Sequence, residues 1–119
     1  MKATLSFFEI PAQNYERAVN FYSDVFDFSI DTCNCDDEIM GMIDAEPIAG
    51  AIFYKEGYEA GDKGIIISFH FSDFSPILEK VEKFGGKILV PKTKITPDEQ
   101  GYFALILDSE GNRIGLHSK

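Results

Sequence analysis

Apolar positions along this chain fall into two periods, and the same order of periods is met twice. Leu5 to Ile10 is rich in Phe and Ile and stops at Pro11, which predicts a strand. Tyr15, Ala18, Val19, Tyr22, Val25 and Phe26 then recur at helical spacing, with Asn14 placed to cap the helix and Glu16, Arg17, Asn20, Ser23 and Asp24 on the wet face. Strands are predicted over Phe28–Cys33, Ile39–Ile43 and Ile48–Lys55, the second and third each containing a glycine, and Asp36 to Glu38 reads as a turn.

The order restarts at Gly64 to Ser72, a long apolar strand. Ser75 stands at a capping position with Pro76 first in the next helix, and Gly85-Gly86 closes it. Lys87–Lys94, Tyr102–Leu107 and Arg113–Ser118 read as strands, separated by turns at Pro97–Gln100 and Asp108–Asn112. The two halves share an apolar pattern at an offset of 59 positions: Tyr15, Ala18, Val19, Tyr22 and Val25 fall on Phe74, Ile77, Leu78, Val81 and Phe84. The predicted fold is therefore α+β, two βαβββ modules in tandem. Curved mixed sheets carry their helices outside and share a concave cleft. Module one is 1–56, a linker covers 57–63 (GYEAGDK), and module two is 64–119, within one domain.

Composition narrows the partners. A chain of 119 residues with 45% hydrophobic content can bury its own core. A net charge of −9 and the lack of any basic run oppose phosphate binding, so nucleic acid is not expected as a partner. No apolar run reaches membrane-spanning length, and the first residues lack the features of a signal peptide, so a cytoplasmic protein with no membrane contact is expected. Cys33 and Cys35 would point to opposite faces of a strand, which argues against a bridge between them.

The stretches FEIPAQNYERAVNFYSDVFDF, GGKIL and GYFALILDSEGNRIGL resemble the vicinal oxygen chelate superfamily, which includes glyoxalase I, bleomycin-resistance proteins and extradiol dioxygenases. Asn14, Arg17, Ala18, Phe21 and Tyr22 match its helix motif, and Asp108, Gly111, Asn112, Ile114 and Leu116 match its closing motif. The resemblance implies a metal ligand from the first and last strand of each module. Those positions fall on Phe7, Phe53, Ile66 and Gly115, none of which can bind a divalent cation. Glyoxalase I activity and extradiol cleavage depend on such a site and are not expected, and no cofactor is implied. The resemblance also implies a homodimer.

Strand alternation from these positions gives the residues facing the cleft. Phe7, Glu9, Phe53, Lys55, Ile66, Ser68, His70, Arg113 and His117 are the expected ligand-binding set, with Leu5, Ala51 and Gly115 beside them. Tyr102, Gln100 and Cys33 are further candidates. Glu9, a carboxylate on a Phe-rich strand, and His70 are the candidates for proton transfer, while Glu9 could equally pair with Arg113, Lys55 or a backbone donor. Binding of a small organic molecule is the favoured function, a cationic drug being one candidate, as in drug-sequestering members of the family. The alternatives are a metal-independent lyase or isomerase, and a module retained only for interaction.

Overall fold

The computed structural model describes residues 1–35, 37–96 and 101–119; the side chain of Cys35 is left aside. Asp36, in the expected Asp36–Glu38 turn, and the whole turn expected at Pro97–Gln100 lie outside them. Element order is β1 (Phe8–Pro11), α1 (Tyr15–Phe26), β2 (Ile30–Cys35), β3 (Glu38–Ile43), β4 (Gly50–Tyr54), β5 (Ile67–His70), α2 (Ser75–Val81), β6 (Lys87–Lys94), β7 (Tyr102–Leu107) and β8 (Arg113–Ser118). The chain divides into two compact units, Met1–Ala60 and Gly61–Lys119. None of its helices is long and apolar enough to cross a membrane, among the described residues.

Each unit holds one four-stranded mixed sheet, in the orders β1-β4-β3-β2 and β5-β8-β7-β6. In both, the first strand runs parallel to the last, and the remaining pairs are antiparallel. A parallel pair cannot be closed by a hairpin, so a helix follows the first strand in each unit. β1 ends at Pro11, as expected, with Pro11 as its last residue. The strand is at the sheet edge, where a missing N–H is tolerated. β1 starts later than expected, so Leu5 and Phe7 precede it and are exposed.

The first unit's core is aromatic. Phe21 and Tyr22 on α1 meet edge to face at 5.3 Å, and Tyr22, Phe26 and Phe28 stack with centroids 5.2–6.3 Å apart. α1 rests on β4. Asn14 caps it, its Oδ1 accepting the Arg17 N–H at 3.0 Å. On that side of the sheet Tyr15 Oη lies 2.8 Å from Thr32 Oγ1. Gly50 leaves its Cβ space to the Phe8 ring, its register partner on β1.

In the second unit Ile77, Val81, Phe69, Ala104, Ile106, Ile114 and Leu116 are buried together. The helix start differs from the sequence expectation. Ser75 is the first helical residue, and Phe74 stands at the cap with no side-chain bond. The polar service comes from Asp73, whose Oδ1 accepts the Ser75 N–H at 3.0 Å. Regular helix stops at Val81; a further turn brings Gly85 to φ +100° and the Gly86 N–H to the Val81 carbonyl at 2.8 Å. Phe84 therefore falls beyond the helix and is 38% exposed, unlike buried Val25 at the matching position.

The β7–β8 turn is built on Asp108, which is 2% exposed. Its Oδ1 accepts the N–H groups of Glu110 and Asn112 at 2.8 and 2.9 Å, and its Oδ2 accepts the Asn112 amide at 3.0 Å. Asn112 Oδ1 in turn accepts the Gly61 N–H at 3.0 Å.

Two measurements test these contacts. Asp108→Ala strands buried donors at roughly 1–3 kcal/mol each, so a loss of about 2–4 kcal/mol is expected in urea unfolding; a loss below about 1 kcal/mol would refute the role given to this turn. The Ser75 backbone and hydroxyl hold the Asp73 carboxyl below its ordinary value of 3.8. A lowered folded-state value gives stability that is present above the unfolded value and lost as pH falls through the folded one. The stability gap between the native chain and Asp73→Ala should thus be full at neutral pH and shrink only in acid below about pH 4; a pH-independent gap would contradict it.

Candidate functional site

Registers place the candidate residues on particular faces. In the first sheet, the row Ile10–Ile52–Gly41–Thr32 lies on the side of Tyr15 and the helix. The neighbouring rows, Glu9–Ala51–Met42–Asp31 and Pro11–Phe53–Met40–Cys33, therefore face the other way. Glu9 and Cys33 are exposed on this face, whereas Ala51 and Phe53 are buried. Tyr58 sits edge-on to Phe53, centroids 5.2 Å apart. Glu9 shows no hydrogen-bond or charge partner among the described residues. Lys55 is half-buried just past the end of β4.

In the second sheet the rows Ile67–Ile114–Ile106 and Phe69–Leu116–Ala104 form the core side. The open side carries Ser68–Gly115–Leu105 and His70–His117–Phe103, with Arg113 opposite Leu107. Ile66 is exposed just before β5. Arg113, Ser68 and the histidines thus form a polar strip over the parallel β5–β8 pair, with Leu105, Leu107 and Phe103 beside it on β7. Tyr102 is exposed at the start of β7, and Lys92 Nζ lies 4.7 Å from its ring centroid. Gln100 lies outside the described residues.

The closest polar contact on this face is between the two histidines. His70 Nδ1 lies 3.0 Å from His117 Nδ1, with the rings tilted by 44° and 5.2 Å between centroids. One ring donates its Nδ1–H and the other accepts with a lone pair. The sequence put both rings on one face; it did not show that they touch. The missing signal was register, because the partners are 47 residues apart and only the β5–β8 pairing sets them side by side. Arg113 does not depend on Glu9 for a counter-charge: its Nη2 is 3.9 Å from Asp62 Oδ2, a long and solvated pair. Its Nε is buried without a hydrogen-bond partner among the described residues.

The positions where the resemblance implies metal ligands do not fit a metal. Phe7 and Ile66 precede β1 and β5 and are exposed apolar side chains. The fourth position needs correction. Gly115 pairs with Ser68, which is 59 positions after Glu9, and Glu9 pairs with Ala51. Ala51, not Phe53, is therefore the counterpart of Gly115. Phe53 is two residues beyond the matching register position, because the loops before β4 and β8 differ in length. Neither Ala51 nor Phe53 offers a ligand atom. A Cβ added at Gly115 would run into the Ser68 hydroxyl. Among the described residues no three of His, Cys, Asp and Glu gather around a common point.

The sequence profile of the glyoxalase/bleomycin resistance protein/dioxygenase superfamily matches residues 4–116. The chain belongs to this superfamily. Its fold recurs in solved structures of low sequence identity. A hypothetical protein SA1046 from S. aureus is 19% identical with a TM-score of 0.74, over 98% of this chain and 97% of that one. The fosfomycin resistance protein FosX from Listeria monocytogenes is 12% identical with a TM-score of 0.74, over 100% and 93%. A glyoxalase I mutant from Zea mays is 19% identical with a TM-score of 0.77; 96% of this chain spans 46% of that chain. No curated protein matches the sequence.

Gly115→Ala tests how closely Ser68 fills the space beside Gly115. The added methyl needs the Ser68 hydroxyl to give way, a cost of about 1–3 kcal/mol for overpacking. Ser68→Gly in the same chain should recover most of it, a coupling visible in a double-mutant cycle of chemical unfolding. Additive effects would show that Ser68 does not occupy that space.

Proposed function

We infer that this superfamily member binds a small organic molecule without the metal chemistry implied by its resemblance. The observation that carries the reading is the open side of the second sheet, where Arg113, Ser68 and the His70–His117 pair stand beside Leu105, Leu107 and Phe103. A few fixed polar groups beside apolar and aromatic surface are the usual make-up of a small-molecule site. Arg113 and Ser68 supply donors for carboxylate, phosphate or hydroxyl oxygens, and the histidine pair supplies one donor and one acceptor at neutral charge. Glu9, exposed and unpartnered on the open side of the first sheet, is the group suited to a cationic ligand. The drug-sequestering members that the resemblance brings in support binding as the first reading.

A second reading has its own observation. Two imidazoles joined through their Nδ1 atoms by one hydrogen bond form an acid–base couple, which supports proton transfer at His70 in a lyase or isomerase reaction.

A thermal-shift screen of cationic drugs and small oxygenated metabolites tests the first reading. At least one class is expected to raise Tm in a saturable way. Arg113→Ala should lower the affinity for an anionic hit, and Glu9→Gln that for a cationic one, by about tenfold, the loss of one charge-assisted hydrogen bond. A screen without any saturable hit would reject small-molecule binding; a hit consumed during incubation, with loss of turnover in His70→Gln, would favour the second reading.

A further inference from the structure

We propose that the His70–His117 pair is a chelating site for one divalent transition-metal ion of tetragonal preference, copper(II) or nickel(II). This site is separate from the positions where the superfamily resemblance implies a metal, and it stands or falls independently of small-molecule binding.

The argument begins with the two ring nitrogens. His70 and His117 are register partners on adjacent parallel strands and project from the same face. Their Nδ1 atoms are 3.0 Å apart. With metal–nitrogen bonds of about 2.0–2.1 Å, two ligands at a right angle are about 2.9 Å apart, and two at a tetrahedral angle about 3.3 Å apart. The observed separation, set by the hydrogen bond between the rings, is close to the right-angle bite, and a cation that replaces the shared proton needs each ring to turn its lone pair toward it. It therefore favours copper(II) or nickel(II), which take square or tetragonal arrangements of nitrogen ligands, over tetrahedral zinc.

The protonation balance is simple. In the neutral pair one ring holds its proton on Nδ1 and the other on Nε2. Binding needs both Nδ1 lone pairs, so the Nδ1 proton leaves and the same ring takes one from solvent at Nε2. Two neutral imidazoles then hold one cation with no net proton change. His70 is exposed, so solvent reaches its ring. The chain's net charge of −9 favours arrival of a cation. The backbone holds both ligands before metal arrives: the Phe71 N–H donates to the His117 carbonyl at 2.9 Å, extending the β5–β8 pairing past the histidines. Two protein ligands in adjacent positions leave the remaining positions for water or for oxygen atoms of a bound molecule.

The test uses the full chain with Cys33→Ser, which removes an exposed thiol that would compete for metal. After stripping with a chelator, copper(II), nickel(II) and zinc(II) are titrated by calorimetry. One copper(II) per chain is expected, bound more tightly than zinc. His70→Gln and His117→Gln should each weaken binding by at least the roughly 10–100-fold that loss of an outer-shell partner costs a metal site. The chain has two histidines, so copper(II) should broaden the ring C–H proton signals of both. Circular dichroism melts without metal establish that each variant is folded; His70→Gln changes an exposed residue and serves if His117→Gln does not fold. The proposal is overturned if the folded His70→Gln protein binds copper(II) as tightly as its parent, if only one histidine broadens, if zinc binds more tightly than copper, or if no stoichiometric metal binding occurs.

Discussion

The parallel pairing of each unit's first strand with its last is the constraint on which everything else rests. β1 on β4 and β5 on β8 are the long-range contacts that turn a run of strands into a closed module. Because parallel neighbours cannot be joined by a tight turn, the helix after the first strand follows from the pairing. The sides of the sheet are then fixed. One row of residues meets the helix, and the next is turned away from it and left for chemistry. Glu9, Ser68, His70, Arg113 and His117 all owe their shared character to this pairing.

Most of the architecture was legible in the sequence because it is written in periodicity. The 59-residue offset carries β1 onto β5 at both ends, Phe8 to Ile67 and Pro11 to His70. The three strands β6, β7 and β8 have the bounds expected from alternating bulk and turn residues. The failures are local and have physical causes. Ser75 is the first helical residue rather than the cap, and its own N–H is taken by Asp73, two residues earlier. Phe84 repeats Val25 in the pattern but not in burial, because the second helix ends sooner than the first.

The candidate site was legible in its parts and not in its arrangement. Alternation put Ser68, His70, Arg113 and His117 in the expected cleft set, and the register sets them on one face of the second sheet. It could not show that two histidines 47 residues apart meet at Nδ1, nor that Ala51 is the counterpart of Gly115, because both depend on how strands slide past one another. Pattern fixes which side a residue faces; register fixes what it faces there. At Gly115, a position where the resemblance implies a ligand, the space a side chain would need is taken by the Ser68 hydroxyl on the neighbouring strand.

The histidine contact also has a mechanical side. It ties the first strand of the second unit to its last, across a loop of 47 residues. A permanent link over such a loop is worth roughly 4 kcal/mol on a chain-entropy scale, and a reversible one adds what its affinity and concentration supply. Whatever grips both rings therefore acts as a removable cross-link. Its occupancy would be felt in the stiffness and lifetime of the whole unit, so that the histidine pair couples the chemistry of one exposed spot to the endurance of the fold beneath it.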